Sequence, residues 1–159
     1  MKLKPDQEKD ASKLLQDLPL FTGCAPEFIA ALVKVLDVKD LAPGKVLLMD
    51  QEIARTLFIL VRGSVGVWKR VGGEKVQLAT LDAPNFFGER SMFEESPASA
   101  LVKSQGICQV YAVERQHFDP IATQFSGNLE LIRKNMIEVR LKRMGPTPPT
   151  PSSSATNPS

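Results

Sequence analysis

Two hydrophobic periods divide the chain. Phe28, Ala31, Leu32 and Val35 recur at helical spacing, which predicts an amphipathic helix begun by Thr22 or by Ala25-Pro26, since proline is tolerated in a first helical turn. Leu18-Pro19-Leu20-Phe21 ahead of it reads as a short apolar element. Residues 1–17 balance four positive against four negative charges with few apolar positions, which predicts a solvated helix or frayed lead-in, with structure proper starting near Leu14.

From Val38 the period becomes that of a strand. Val38 to Leu41 and Lys45 to Met49 form two short strands around the turn Ala42-Pro43-Gly44. Thr56 to Val61 is apolar throughout, so both faces of that strand are expected to be covered. Gly63 breaks it, and Ser64 to Arg70 and Lys75 to Leu81 follow as alternating strands joined by the hairpin loop Val71-Gly72-Gly73-Glu74. Ala98 to Lys103 and Gln109 to Val113 make two more around Gln105-Gly106. Short strands at roughly ten-residue intervals indicate an antiparallel barrel or jelly roll. Behind them Arg115 to Gln124 reads as a helix despite Pro120, Ser126-Gly127 as a break, and Asn128 to Met144 as a longer helix. In that helix Leu129, Ile132, Met136 and Val139 form one apolar stripe, and Ile137, Leu141 and Met144 a second. The expected division is a lead-in over 1–17, a folded domain over 18–144, and a disordered tail over 145–159, which has no charge and five prolines in fifteen positions.

Composition narrows the function classes. An apolar fraction of 43% and a charged fraction of 24% are ordinary for a soluble globular protein. No apolar run approaches the ~20 residues of a membrane span and the start lacks the apolar core of a signal peptide, so a cytoplasmic protein without membrane insertion is expected. Cys24 and Cys108 read as buried small residues rather than a disulfide. A single histidine, His117, at the start of the predicted 115–124 helix, is too few for the usual metal triad. No nucleophile with a base partner stands out, and neither an enzyme nor a cofactor is expected. The 128–144 helix carries a net +3, but with no helix-turn-helix, basic aromatic strand or zinc spacing, DNA binding by this chain is not expected.

The remaining candidate chemistry lies between Pro84 and Val102. There a Phe86-Phe87-Gly88-Glu89 turn, a stretch long enough for only a turn or two of helix, and Pro97 restarting an extended run make a cradle for a small ligand. Gly88 lets backbone approach closely, and a helix start presents free N–H groups to an anion. Glu89 is also the acid that a helix dipole favours in a first turn.

Together with Pro43-Gly44-Lys45-Val46 and Phe58 to Val65, this stretch resembles the cyclic-nucleotide-binding domain. That family includes the catabolite activator protein, the regulatory subunits of protein kinase A and the cyclic-nucleotide-gated channels. The resemblance runs from about Leu18 to Met144. It implies an eight-stranded antiparallel β-roll, a jelly roll, with an N-terminal helical bundle, a short helix in a phosphate-binding cassette and a C-terminal hinge helix that closes over the base of cyclic AMP or cyclic GMP. On this resemblance the ligand-binding residues are Phe87, Gly88, Glu89, Arg90, Ser91, Ala98, Ser99 and Ala100, with Glu89 accepting from the ribose hydroxyl and Ser99 standing where a hydroxyl helps to hold cyclic GMP.

The family pattern is broken at Ala98, where an arginine after the proline pairs with the cyclic phosphate. An arginine–phosphate pair is charge-assisted and often bidentate, and truncating one partner of such a buried pair costs on the order of 2–5 kcal/mol. Glu94 and Glu95 add negative charge to a segment that should receive an anion. Leu101 replaces a common threonine or serine, and Gln51 a common glycine. Arg90 and Lys103 are nearby cations. Arg133 and Arg140 fall between the stripes of the long helix, and Arg140 is the residue that the resemblance suggests could reach the purine.

Two functions compete. The first is a regulatory module that binds a cyclic purine nucleotide, weakly for want of the arginine, and signals through its C-terminal helix. The second is a degenerate domain that takes a purine nucleoside or serves as a protein-interaction or dimerisation module. The effector is expected outside this sequence, and the pairing of two copies is left open.

Overall fold

Proline starts each N-terminal element, at a position whose N–H a helix does not need. Pro5 opens helix α1 (Pro5–Asp17), Pro19 a 3-10 turn (Pro19–Phe21) and Pro26 helix α2 (Pro26–Lys34). The computed structural model describes residues 2–144, with side chains to Lys142, so the expected tail over 145–159 lies outside the described residues. Most of α1 is exposed, but its four-residue spacing carries Ala11 and Leu15 into the core.

Eight strands follow, all paired antiparallel: β1 (Asp37–Leu41), β2 (Val46–Leu48), β3 (Thr56–Arg62), β4 (Ser64–Val71), β5 (Glu74–Asp82), β6 (Asn85–Phe87), β7 (Leu101–Ser104) and β8 (Cys108–Glu114). They form two four-stranded sheets, β1-β8-β3-β6 and β2-β7-β4-β5. The closed barrel admitted by the strand pattern is therefore not formed; the jelly roll is. Consecutive strands β1 and β2 pair in different sheets because the turn between them is clamped by Ser104. Its buried hydroxyl donates to the Ala42 carbonyl at 2.7 Å and accepts from Lys45 N at 2.9 Å, while Gly44 N donates to the Ser104 carbonyl at 2.9 Å.

The apolar strand β3 is covered on both faces, as its pattern predicts. Leu57 and Ile59 pack into a core shared with the helices, whereas Phe58 and Leu60 face the space between the sheets. β6 divides the same way: Phe86 joins the helical core and Phe87 stacks on Phe58, with ring centroids 5.1 Å apart. β5 departs from its alternating pattern. As the outermost strand of its sheet it is exposed over nearly its whole length, leaving Val76 and Leu78 in solvent. β7 begins at Leu101, later than Ala98, because Ala98 N donates to Glu52 O (2.8 Å) and Ala98 O accepts from Gln51 N (2.7 Å). Those groups are engaged by the loop after β2 and are unavailable to the sheet.

Three more helices complete the domain: α3 (Glu89–Phe93), α4 (Arg115–Gln124), which accommodates Pro120, and α5 (Asn128–Met144). Of the two stripes on α5, the first is docked, with Ile132 and Met136 fully buried and Leu129 and Val139 against them. Ile137 and Leu141 of the second are exposed. Two asparagines fix the helix to the N-terminal elements: Asn128 Oδ1 accepts from Ala25 N at 3.0 Å, and buried Asn135 Nδ2 donates to the carbonyls of Leu20 and Thr22 at 2.9 Å each. No helix among the described residues is long and apolar enough to cross a membrane.

Candidate functional site

The site is built where β6 ends and α3 begins. Gly88 caps α3 in the left-handed region, at φ +85°, and a Cβ there would lie 2.6 Å from the Thr56 carbonyl oxygen. Glycine is thus required by the close approach of this turn to β3. The single helical turn after it places Glu89, Arg90 and Ser91 on the wall of a cavity of about 290 Å³. Phe87 lines it from below, and Ala98, Ser99 and Ala100 line it from the opposite side. All the expected cassette residues therefore meet around one cavity.

Their side chains are not equally available. Ser91 is buried, and its hydroxyl accepts from Ala54 N at 2.7 Å and from Arg55 N at 3.2 Å, which pins the loop after β2 against α3. Ala98 is 7% exposed and presents only a methyl group to the cavity. Gln51, whose backbone grips Ala98, sits at φ +70°, a conformation that glycine adopts without steric cost.

Arg140 lies outside the cavity lining. Its Nη2 donates to Glu94 Oε2 at 3.0 Å, tying α5 to the end of α3. Arg90 also faces Glu94, at 3.8 Å, and Glu95 lies 3.4 Å from Arg55 and 3.7 Å from Arg115. Arg115 in turn donates to the Met92 carbonyl at 2.7 Å and to Asp119 at 2.9 Å. The negative charge expected to oppose an anion is thus neutralised by arginines, and neither Glu94 nor Glu95 lines the cavity. Lys103 stands over the Trp68 ring, 4.9 Å from its centroid, while its neighbour Val102 points into the cavity. Arg133 is exposed.

The apolar wall is the part that the motif left out. Leu48, Val67, Leu81 and Val102 close the cavity from the second sheet. The signal for them is the two-residue period of β4 and β7, which aims Val65 and Val67, and then Val102 and Ser104, inward.

Burial pushes the Cys24 thiol up to about 11, and both cysteines are free. His117 is exposed. Among the described residues no three His, Cys, Asp or Glu are grouped to hold a metal ion.

A family described as the cyclic nucleotide-binding domain matches residues 38–125. The potassium channel SKOR of Arabidopsis thaliana is 28% identical over 138 residues, covering 82% of this chain but only 16% of the channel. Among solved structures, the regulatory domain of Toxoplasma gondii PKA with cAMP superposes with a TM-score of 0.71 at 21% identity, over 84% of this chain and 51% of that one. A cyclic nucleotide-binding domain from Methylobacillus flagellatus gives 0.74 at 16% identity, over 87% and 79%. At such identities the likeness concerns the fold, but the family match spans the strands, the cassette and α4. The chain belongs to the cyclic nucleotide-binding domain family.

Proposed function

We propose that this domain is a ligand-sensing regulatory module whose cavity takes a cyclic purine nucleotide, cAMP or cGMP, and whose α5 passes occupancy to an effector outside this sequence. The observation that carries the reading is the meeting of two separated segments, 87–91 and 97–100, around one apolar-walled cavity. Its volume of about 290 Å³ lies near the lower end of the range for small-ligand sites. In this reading Glu89 accepts the ribose hydroxyl and Ser99 contacts the cyclic phosphate or base. The solved relative from Toxoplasma gondii holds cAMP. The Arg140–Glu94 contact is the physical link between cassette and helix: a ligand that favours one arrangement of this contact shifts the population of α5 by its differential affinity alone. No step of this role is catalytic.

The methyl group of Ala98 favours a second reading, a neutral purine nucleoside. Isothermal titration of the protein with cAMP, cGMP, adenosine and inosine separates the two. Heat with the cyclic nucleotides supports the first and heat with nucleosides alone the second. Absence of both heat and thermal shift with every ligand refutes ligand sensing and leaves an interaction module.

A further inference from the structure

The cations around the cavity differ in whether their charge is already matched. Arg90 and Arg140 share Glu94, Arg55 and Arg115 share Glu95, and Lys103 lies over Trp68. Lys69 is different. Its ammonium donates to the Ser99 carbonyl oxygen at 2.8 Å, and among the described residues it forms no ion pair. A carbonyl satisfies one N–H but cancels no charge, and an ammonium has three donors.

Its direction follows from the strand. On β4, Val65 is buried between the sheets and Val67 lines the cavity, so the two-residue period puts Lys69 on the same face, one step farther along. The bulge between β4 and β5 leaves this intact, because Val67 pairs with Ala79 and Trp68 with Gln77, which places the extra residue, Leu78, on β5. Across β7, Trp68 pairs with Leu101, so Lys69 lies beside the approach of Ser99 and Ala100, both of which line the cavity.

Resting on the reading of the cavity as a nucleotide site, we infer that Lys69 supplies the cation that Ala98 does not, and that it selects an anionic ligand over a neutral nucleoside. Lys69 lies outside the cavity lining, beside Ser99 at its edge; one N–H stays on Ser99 O, holding the loop, while the other two can donate to phosphate oxygens of a ligand that reaches the cavity mouth. The ammonium is a point charge on a flexible stem and offers no bidentate fork, so the contact is weaker than an arginine's.

The test is titration of cAMP and adenosine into wild type, Lys69→Gln and Lys69→Arg, with thermal melts to check folding. Lys69→Gln is expected to weaken cAMP binding roughly tenfold, the fold-change of one charge-assisted hydrogen bond, while leaving adenosine unchanged. Lys69→Arg is expected to retain cAMP binding, and keeps the test decisive if Lys69→Gln folds poorly. Wild type should also lose cAMP affinity with rising salt more steeply than Lys69→Gln. Unchanged cAMP affinity in Lys69→Gln, or equal losses for cAMP and adenosine, would each overturn the role of Lys69 alone, whereas a wild type that binds adenosine but not cAMP overturns both that role and the cyclic-nucleotide reading in favour of a nucleoside site. A wild type that binds neither cAMP nor adenosine, nor cGMP or inosine, overturns the nucleotide reading of the cavity and this role with it.

Discussion

Replacing Ala98 with arginine tests the cavity most directly. The backbone of Ala98 is held on both sides, by Glu52 O and Gln51 N, and its Cβ already lines the cavity, so the substitution adds a guanidinium without re-aiming the chain. The new side chain enters an apolar-walled cavity, and Glu94 and Glu95, which lie outside its lining, are already paired with other arginines. Without ligand the guanidinium has Glu89 as the carboxylate on the cavity wall, and partial desolvation of an incompletely paired charge costs stability. With cAMP bound it meets the phosphate, a contact of about 2–5 kcal/mol when buried, from which the ligand-free cost must be subtracted. A net gain of at least about 1.4 kcal/mol, or tenfold in affinity, is expected. Titration calorimetry gives the dissociation constant, and melts with and without cAMP separate the two contributions. The apo melting temperature should fall, and the ligand-induced rise should exceed that of wild type. Adenosine, lacking the phosphate, should bind Ala98→Arg no better than wild type. An unchanged cAMP dissociation constant in a folded variant would refute the placement of Ala98 beside the phosphate.

Three further predictions concern the frame of the site. Gln51→Gly relieves a left-handed residue worth about 1–2 kcal/mol, offset in part by the greater flexibility of glycine in the unfolded chain, so a denaturant midpoint higher by an amount equivalent to about 1 kcal/mol is expected. Gly88→Ala places a methyl group 2.6 Å from the Thr56 carbonyl at φ +85° and should destabilise by roughly 2–4 kcal/mol in chemical denaturation; a loss below 1 kcal/mol by the same measurement would show that the turn relaxes freely. Because burial raises the Cys24 thiol to about 11, the neutral form is favoured in the folded state; its contribution to stability is complete below the unfolded thiol's pKa and is lost as pH rises toward 11. Iodoacetamide mapped to Cys24 at pH 8 should therefore react far more slowly in the native protein than in urea.

Much of the fold was legible because it depends on local period. The unbroken apolar run of β3 announced two covered faces, and the alternation along β4 announced one. The cassette was legible as a string of residue types, and it lines a single cavity. What sequence could not supply were contacts across long separations. Glu94 and Glu95 read as repulsive until Arg55, Arg115 and Arg140, which lie 20 to 46 positions away, are seen to neutralise them. Arg140, which the resemblance aims at the purine, pairs with a carboxylate at the edge of the cassette. The start of β7 was misjudged because Pro97-Ala98 looks extended, whereas the Ala98 backbone bonds belong to a loop 46 residues earlier. β5 alternates like a half-buried strand, yet nothing among the described residues covers it along most of its length. Lys69 belongs to no motif, and its relation to the cavity rests on its 2.8 Å bond to the Ser99 carbonyl.

The bonds of Asn135 bear on how α5 moves. Its amide spans the Leu20 and Thr22 carbonyls, so the middle of the helix is riveted to the turn at Pro19–Phe21 rather than merely resting on it. Any displacement of the helix as a whole must carry that turn with it, or else abandon two hydrogen bonds of a buried amide. Beyond Asn135 the helix is held along one face, by buried Met136, by Val139 and by the Arg140–Glu94 contact, while Ile137 and Leu141 face solvent. In the proposed role, a ligand that shifts α5 as a whole therefore also shifts the N-terminal turn to which Asn135 ties it.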